Sequence, residues 1–204
     1  MTPVGKPDWW DAAREFLLQD ELLAPVVEKY SEGSLYGKGD LFATFVNSIV
    51  GQQISVIAAE AIWNRLKDKV GEITPENISS FSPEEIAACG LTKSKTSYIL
   101  GVANNPDEFL NQNYSEMTDE EIHKHFITFR GIGPWTSEML MIFSLLRPNV
   151  FSIGDIGLVK AVKILNPRIK TKEEVLSEAE RWSPYKTAAS WYLWRMLDPV
   201  PVAY

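Results

Sequence analysis

Apolar residues recur at intervals of three and four along most of the chain, whereas alternating apolar and polar runs are nearly absent. The clearest stripe lies in residues 41–51, where positions 41, 42, 45, 46, 49 and 50 are apolar. This spacing is typical of an α-helix that buries one face, whereas a strand would show alternation. The pattern therefore predicts an all-α protein.

Capping residues divide this pattern into short helices. Asp40 and Ser55 precede residues 41–51 and 56–69, and each side chain can accept a hydrogen bond from a backbone N–H group of the first helical turn. Further starts are predicted at Asp8, Ser82, Thr118, Asp155, Thr171 and Ser183. We expect eight to ten short helices, and since no fixed repeat or long linker is visible, one compact unit over residues 1–204.

The amino-acid composition excludes several kinds of cofactor and metal site. The chain has 204 residues, of which 45% are hydrophobic and 23% are charged, as in ordinary globular proteins. Its single cysteine, Cys89, excludes an intrachain disulfide and a four-cysteine metal or cluster site. The two histidines, His123 and His125, point to different sides of a helix, so no transition metal is expected. No export signal or run of about 18 apolar residues is visible, which favours a reducing compartment and no membrane.

Charge is unevenly distributed. The net charge of −7 means that any binding to nucleic acid must use a local patch. Residues 101–123 hold six acidic residues and no lysine or arginine, whereas residues 156–172 hold five basic residues and no acidic one. Taken alone, such runs are most often solvated helix faces, and they also allow one basic face on an otherwise acidic molecule.

A tight turn between two helices is predicted at residues 129–136. Gly131 and Gly133 frame Ile132, and Pro134 suits the first position of a new helix. The glycines allow positive φ and close backbone approach, while Ile132 can insert between the helices. Backbone N–H groups at the new helix start could bind a phosphate. Taken alone, the pattern fits a plain helical turn equally well.

A lone carboxylate follows at Asp155, within the apolar and small segment 151–157. The local interpretation is that Asp155 caps a helix over residues 156–165. A carboxylate at a helix N-terminus also stays ionised in dry surroundings, where it could stabilise a developing cation or orient a water molecule. The two roles are compatible.

Together, residues 131–136 and 155–157 resemble the helix-hairpin-helix, Gly/Pro-Asp superfamily of DNA glycosylases, and within it the 3-methyladenine DNA glycosylase II type. Residues 48–55, 179–185 and 191–194 resemble further segments of that branch, in the same order. The resemblance covers about residues 41–197. It implies two helical lobes around a cleft, the first about 41–150 with the hairpin 129–135, and the second 1–40 together with 151–204.

The resemblance also assigns roles. It implies that Asp155 is catalytic and that Gln53 fills the space left by an extruded base. The residues expected to grip DNA with Gln53 are Gly131, Gly133 and Thr136, and those expected to line the base pocket are Trp135, Met139 and Trp194. The carbonyl groups of Ile127, Phe129 and Ile132 are expected to hold a Na⁺ or K⁺ ion, with no other cofactor.

Several family residues are missing from this sequence, and their absence restricts the activity to be expected. No proline stands beside Asp155, and Trp135 occupies the position of the lysine that backbone-cleaving members use. Without that amine no Schiff base with the sugar can form there. The cluster-binding cysteines of the endonuclease III branch are also missing.

The resemblance therefore implies a monofunctional glycosylase that acts on duplex DNA containing alkylated purines, since tryptophan faces attract cationic rings. We expect a monomer, located in the nucleoid of a prokaryote or the nucleus of a eukaryote. Two alternatives stay open: a glycosylase for deaminated or oxidised bases, and a non-catalytic helix-hairpin-helix module that only grips DNA.

Overall fold

The computed structural model describes residues 2–198, which form thirteen α-helices and two very short strands. The helices are α1 (Trp10–Leu17), α2 (Ala24–Lys29), α3 (Leu41–Gly51), α4 (Val56–Val70), α5 (Pro75–Ser79), α6 (Pro83–Ala87), α7 (Lys93–Ala103), α8 (Asp107–Leu110), α9 (Asp119–Phe126), α10 (Pro134–Phe143), α11 (Ile156–Leu165), α12 (Lys172–Glu180) and α13 (Lys186–Leu197). The strands β1 (Val4–Gly5) and β2 (Gly37–Lys38) pair antiparallel. The all-α prediction is confirmed, but residues 2–198 contain thirteen helices where eight to ten were expected, and the helices that were not predicted are α2, α5, α7 and α8.

Most helices with a side-chain cap begin where the sequence predicted, whereas the caps at Thr74 of α5 and Thr92 of α7 were not predicted. Asp40 accepts a hydrogen bond from the Ala43 N–H group at 2.8 Å, and Ser55 accepts one from Ala58 at 3.3 Å. Complete capping boxes are present at Ser82, Thr118 and Thr171. The cap is a contact across three residues, so local sequence determines it.

The first and last helices begin later than predicted. Helix α1 follows Trp9 with no side-chain cap, and Asp8 is exposed upstream of it. Helix α13 begins at Lys186 rather than directly after Ser183. Packing between distant segments replaces the cap here: the rings of Trp9 and Tyr185 stack at 6.3 Å, just ahead of both helices.

The chain divides into two compact units. The first is Asp40–Leu140, and the second combines Thr2–Gly39 with residues 141–198 of the described chain. In the first unit, Phe109 packs between Phe45 and Phe126 at ring distances of 5.2 and 5.6 Å. These rings hold α3, α8 and α9 together, and α9 leads directly into the predicted hairpin.

The core of the second unit is a cluster of large rings. Trp10 of α1 lies 5.3 Å from Trp191 and 5.8 Å from Tyr192, both on α13. Leu158 and Val162 of α11 are fully buried in the same unit. Burial of these apolar faces fixes α11 and α13 side by side, which places the start of α11 beside α13.

Among residues 2–198, no helix combines the length and apolar character needed to cross a bilayer. The same residues contain no group of three or more histidine, cysteine, aspartate or glutamate side chains arranged to hold a metal ion.

Candidate active site

The hairpin lies between α9 and α10, as predicted. Gly131 has a φ of +94°, and a Cβ atom placed there would lie only 2.3 Å from Cδ2 of Tyr98 on α7. Both the backbone conformation and the close approach therefore require glycine. Ile132 is buried, in agreement with its predicted insertion between the helices.

Gly133 differs from Gly131. Its φ is not positive, and a Cβ atom there would have no neighbouring atom within 4 Å. Nothing within the protein thus requires glycine at position 133. The absent side chain leaves the exposed start of α10 open to approach from outside the molecule.

Gln52 fastens the hairpin to the end of α3, and sequence reasoning did not identify this residue. Its side-chain Nε2 donates to the Gly131 carbonyl at 3.0 Å and to the Thr136 hydroxyl at 2.9 Å. Thr136 is only 2% exposed. The Thr136 hydroxyl thus lies inside the protein and accepts from Gln52, while a contact between residue Thr136 and DNA stays a prediction.

Gln53 is the exposed residue at the turn between α3 and α4. Its φ of +58° lies in the left-handed region, which non-glycine residues adopt rarely. Lys95 of α7 supports this turn, since its ammonium group donates to the Val50 carbonyl at 2.9 Å and the Gln52 carbonyl at 2.7 Å. Burial lowers the pKa of Lys95 below its usual value.

Asp155 caps α11, which has the predicted bounds Ile156–Leu165. Its Oδ1 atom accepts two hydrogen bonds, from the Leu158 N–H group at 2.8 Å and from the indole Nε1 of Trp194 at 3.2 Å. A Cβ atom at Gly157 would lie 3.0 Å from the same oxygen. The carboxylate is thus half-buried at a helix N-terminus with its orientation set by two donors.

Trp194 is 8% exposed, and its ring stacks on Phe143 at 5.6 Å with an interplanar angle of 26°. Phe143 was not found from the sequence, because it lies 51 positions away and has no motif of its own. The indole N–H group of Trp194 is directed at Asp155. Its base-pocket role stays a prediction.

The other two predicted pocket residues lie differently in the structure. Met139 has no exposed surface and packs in the core of this structure, so its role in a base pocket stays a prediction. Trp135 is half-buried in the first turn of α10. A side chain with exposed surface can contact a ligand directly, which keeps Trp135 as a candidate.

The basic run after Asp155 is partly engaged in local structure. The Lys163 ammonium group donates to the Lys170 carbonyl at 2.7 Å, and the Lys170 ammonium group donates to the Pro167 carbonyl. Glu174 accepts from the backbone of both Lys170 and Thr171. Part of this run therefore stabilises the connection between α11 and α12.

Comparison with known proteins identifies the family that this chain resembles. Residues 46–185 match the family described as HhH-GPD superfamily base excision DNA repair protein. A DNA-3-methyladenine glycosylase of Bacillus subtilis is 30% identical over 199 residues, which cover 90% of this chain and 66% of that protein. DNA-3-methyladenine glycosylase 1 of Schizosaccharomyces pombe is 32% identical over 181 residues, covering 85% of this chain and 79% of that protein.

Solved structures give a consistent result. The 3-methyladenine DNA glycosylase Mag1 of Schizosaccharomyces pombe, in complex with abasic DNA, superposes with a TM-score of 0.79 at 29% identity. The alignment covers 90% of this chain and 95% of that chain. The similarity in fold thus extends over most of the chain, and the family match over residues 46–185 includes both the hairpin and Asp155.

The two hairpin glycines should respond differently to substitution. Gly131→Ala should destabilise the protein by about 2–4 kcal/mol, because it adds a strained φ and a clash with Tyr98. Gly133→Ala should change stability by less than about 0.5 kcal/mol, since its Cβ enters open space. Urea unfolding of both variants measures the difference. Equal losses would contradict the assignment of the close approach to Gly131.

Proposed function

This chain belongs to the HhH-GPD superfamily of base excision DNA repair proteins, and from this we propose that it is a monofunctional DNA glycosylase that releases alkylated purines from duplex DNA. The observation that carries the proposal is Asp155, a carboxylate fixed by two donors at the N-terminus of α11. Capping of α11 accounts for the bond from Leu158, whereas the second donor on the same oxygen, the Trp194 indole, favours a further role for this carboxylate over a module that only grips DNA. The names of the relatives support alkylated bases as the substrate.

The hairpin supplies the grip on the DNA backbone. Gly133 leaves the start of α10 open, and a helix N-terminus attracts phosphate through its N–H groups and its dipole. Contacts of this kind fix position without selecting sequence. A repair enzyme needs this property, because damage occurs at any sequence.

The carbonyl groups of Ile127, Phe129 and Ile132 extend the proposal to a Na⁺ or K⁺ ion beside the hairpin. Carbonyl oxygens suit hard cations. The Phe129 carbonyl already accepts from the Ile132 N–H group at 3.1 Å, and its second lone pair still permits ligation. A bound cation there would supply positive charge for a phosphate.

Gln53 supplies the wedge. The target base must leave the stack before its glycosidic bond can be reached, which costs a few kcal/mol. An exposed polar side chain on a firmly held turn can occupy the vacated space and hydrogen-bond to the base left behind. We therefore assign Gln53 to stabilising the flipped-out state.

Asp155 supplies the chemistry. As the bond between C1′ and the base nitrogen breaks, its electron pair leaves with the base and the sugar gains oxocarbenium character. The carboxylate stabilises this positive charge, and a water molecule then adds its oxygen to C1′ and releases a proton. An N-alkylated purine is already cationic, so it leaves as a neutral molecule and requires little further help.

We assign Trp135 and Trp194 to selection of the damaged base. The electron-rich face of an indole attracts a cationic ring over a neutral one. Trp135 has exposed surface in the first turn of α10, whereas Trp194 has little. In this proposal Trp135 therefore contributes more of the selection, and Trp194 mainly holds Asp155.

The deciding experiment is base release from duplexes that carry one methylated, one deaminated or one oxidised base. We expect release of 3-methyladenine and 7-methylguanine, and an abasic product whose backbone stays intact without alkali. Trp135 cannot form a Schiff base, so borohydride should trap no protein–DNA adduct. Preferential release of oxidised or deaminated bases would instead support the alternative glycosylase.

We expect this glycosylase to be a monomer that acts where DNA resides, in a nucleoid or a nucleus.

Asp155→Asn should abolish base release and leave the affinity for lesion DNA within about tenfold. The asparagine Oδ1 can still accept from both Leu158 and Trp194, so helix capping and shape are preserved while the charge is lost. Single-turnover release and equilibrium binding measure the two effects. Near-normal release by this variant would remove Asp155 from the catalytic role.

Trp194→Phe separates the two roles of Trp194. Phenylalanine retains a ring to stack on Phe143 but has no N–H group for Asp155. If Trp194 acts by holding Asp155, release should slow by roughly tenfold or more for cationic and neutral lesions alike, the size of losing a hydrogen bond to a charged group. A loss confined to cationic lesions would instead assign Trp194 to the base pocket.

A further inference from the structure

We propose that Gln52 and Lys95 are positioning residues that clamp the wedge loop, residues 52–55, to the hairpin and to α7. Insertion of Gln53 and the grip on the backbone then act as one preformed unit. The inference rests on the proposed function, in which Gln53 enters the duplex.

One amide group makes the first half of the clamp. The Gln52 side chain donates to Gly131, within the turn of the hairpin, and to Thr136, in the first turn of α10. Its two contacts thus join the turn to the helix that follows it. Movement of the loop relative to the hairpin would break both bonds.

The ammonium group of Lys95 makes the second half. The last carbonyl groups of an α-helix have no partner within the helix, and Lys95 donates to Val50 and Gln52 at the end of α3. A positive charge there also interacts favourably with the helix dipole. The same helix α7 carries Tyr98, whose ring abuts Gly131, so α7 supports both the loop and the hairpin.

The wedge residue needs such support. Gln53 adopts a φ of +58°, a conformation that a free loop would leave readily. Its apolar neighbours contribute little burial, since Val56 and Ile57 are 79% and 81% exposed. A loop that is ordered before it meets DNA does not lose conformational freedom on entering the duplex. The clamp therefore lowers the barrier to extruding a paired base.

The test compares two substrates for each variant. Gln52→Met keeps the side-chain length and removes both donors, and Lys95→Met removes the ammonium group. Gln112→Met and Lys93→Met are matched controls, because Gln112 bonds only to the Glu108 carbonyl among the contacts seen and Lys93 is exposed near the start of α7. Single-turnover release is measured with the same lesion in a base-paired site and in a single-nucleotide bulge.

We expect the paired-site rate of Gln52→Met and Lys95→Met to fall about tenfold, as for the loss of two hydrogen bonds, with the bulge rate changed less than about twofold. The controls should change neither rate by more than about twofold. Both rates are measured on the same protein sample, so a variant with a smaller folded fraction lowers both rates by the same factor and leaves their ratio unchanged. Should Gln52→Met fail to fold, Gln52→Glu keeps the length and the contact with the Thr136 hydroxyl but replaces the donor to the Gly131 carbonyl by an acceptor, so the paired-site rate should again fall more than the bulge rate.

The wedge itself is tested by Gln53→Ala. If this variant loses paired and bulge activity equally, the wedge role in the proposed function fails. A second outcome is that Gln53→Ala lowers the paired-site rate more than the bulge rate, while Gln52→Met and Lys95→Met lower both rates equally. That result would overturn the clamp and leave the wedge role of Gln53 in place. Adding Gln52→Met to Gln53→Ala should cost little further paired-site activity, since both act through one side chain. Full additivity would contradict the clamp.

Discussion

The ends of short helices are the constraint on which this structure depends. Each helix leaves its first N–H groups and last carbonyl groups without partners inside the helix, and the described chain consists mainly of helices of 4 to 15 residues. Most of its length therefore lies close to a helix end. The candidate functional groups lie at such ends as well: the hairpin where α10 begins, Asp155 where α11 begins, and Gln53 between α3 and α4.

This constraint also explains how much of the fold the sequence could predict. A side-chain cap joins residues three positions apart, so Asp40, Ser55 and Asp155 mark their helix starts by local chemistry alone. Helices α1 and α13 have no side-chain cap, and aromatic packing between distant segments sets their starts. Local sequence contains no signal for such packing, and the predicted starts were displaced accordingly.

The difference between local contacts and contacts across long stretches of chain also determines how much of the candidate site could be predicted. The φ of Gly131 and the capping role of Asp155 follow from short patterns, and both were predicted. The bond from Gln52 to Gly131 spans 79 residues, and the bond from Trp194 to Asp155 spans 39. Helical spacing shows that Met139 follows Trp135 by one turn, but not which of the two lies in the core. Burial depends on what packs against a face, and one sequence does not contain that information.

Asp155 shows how one atom serves folding and chemistry together. Capping alone does not require a carboxylate, because Ser55 and Thr118 cap other helices of this chain through hydroxyl groups. At Asp155 a second donor, the Trp194 indole, reaches the same oxygen and helps to hold it in place. The contacts that complete the helix thus also orient the charge before any DNA is bound. In the proposed reaction, a carboxylate oriented by folding needs little rearrangement when positive charge develops on the sugar.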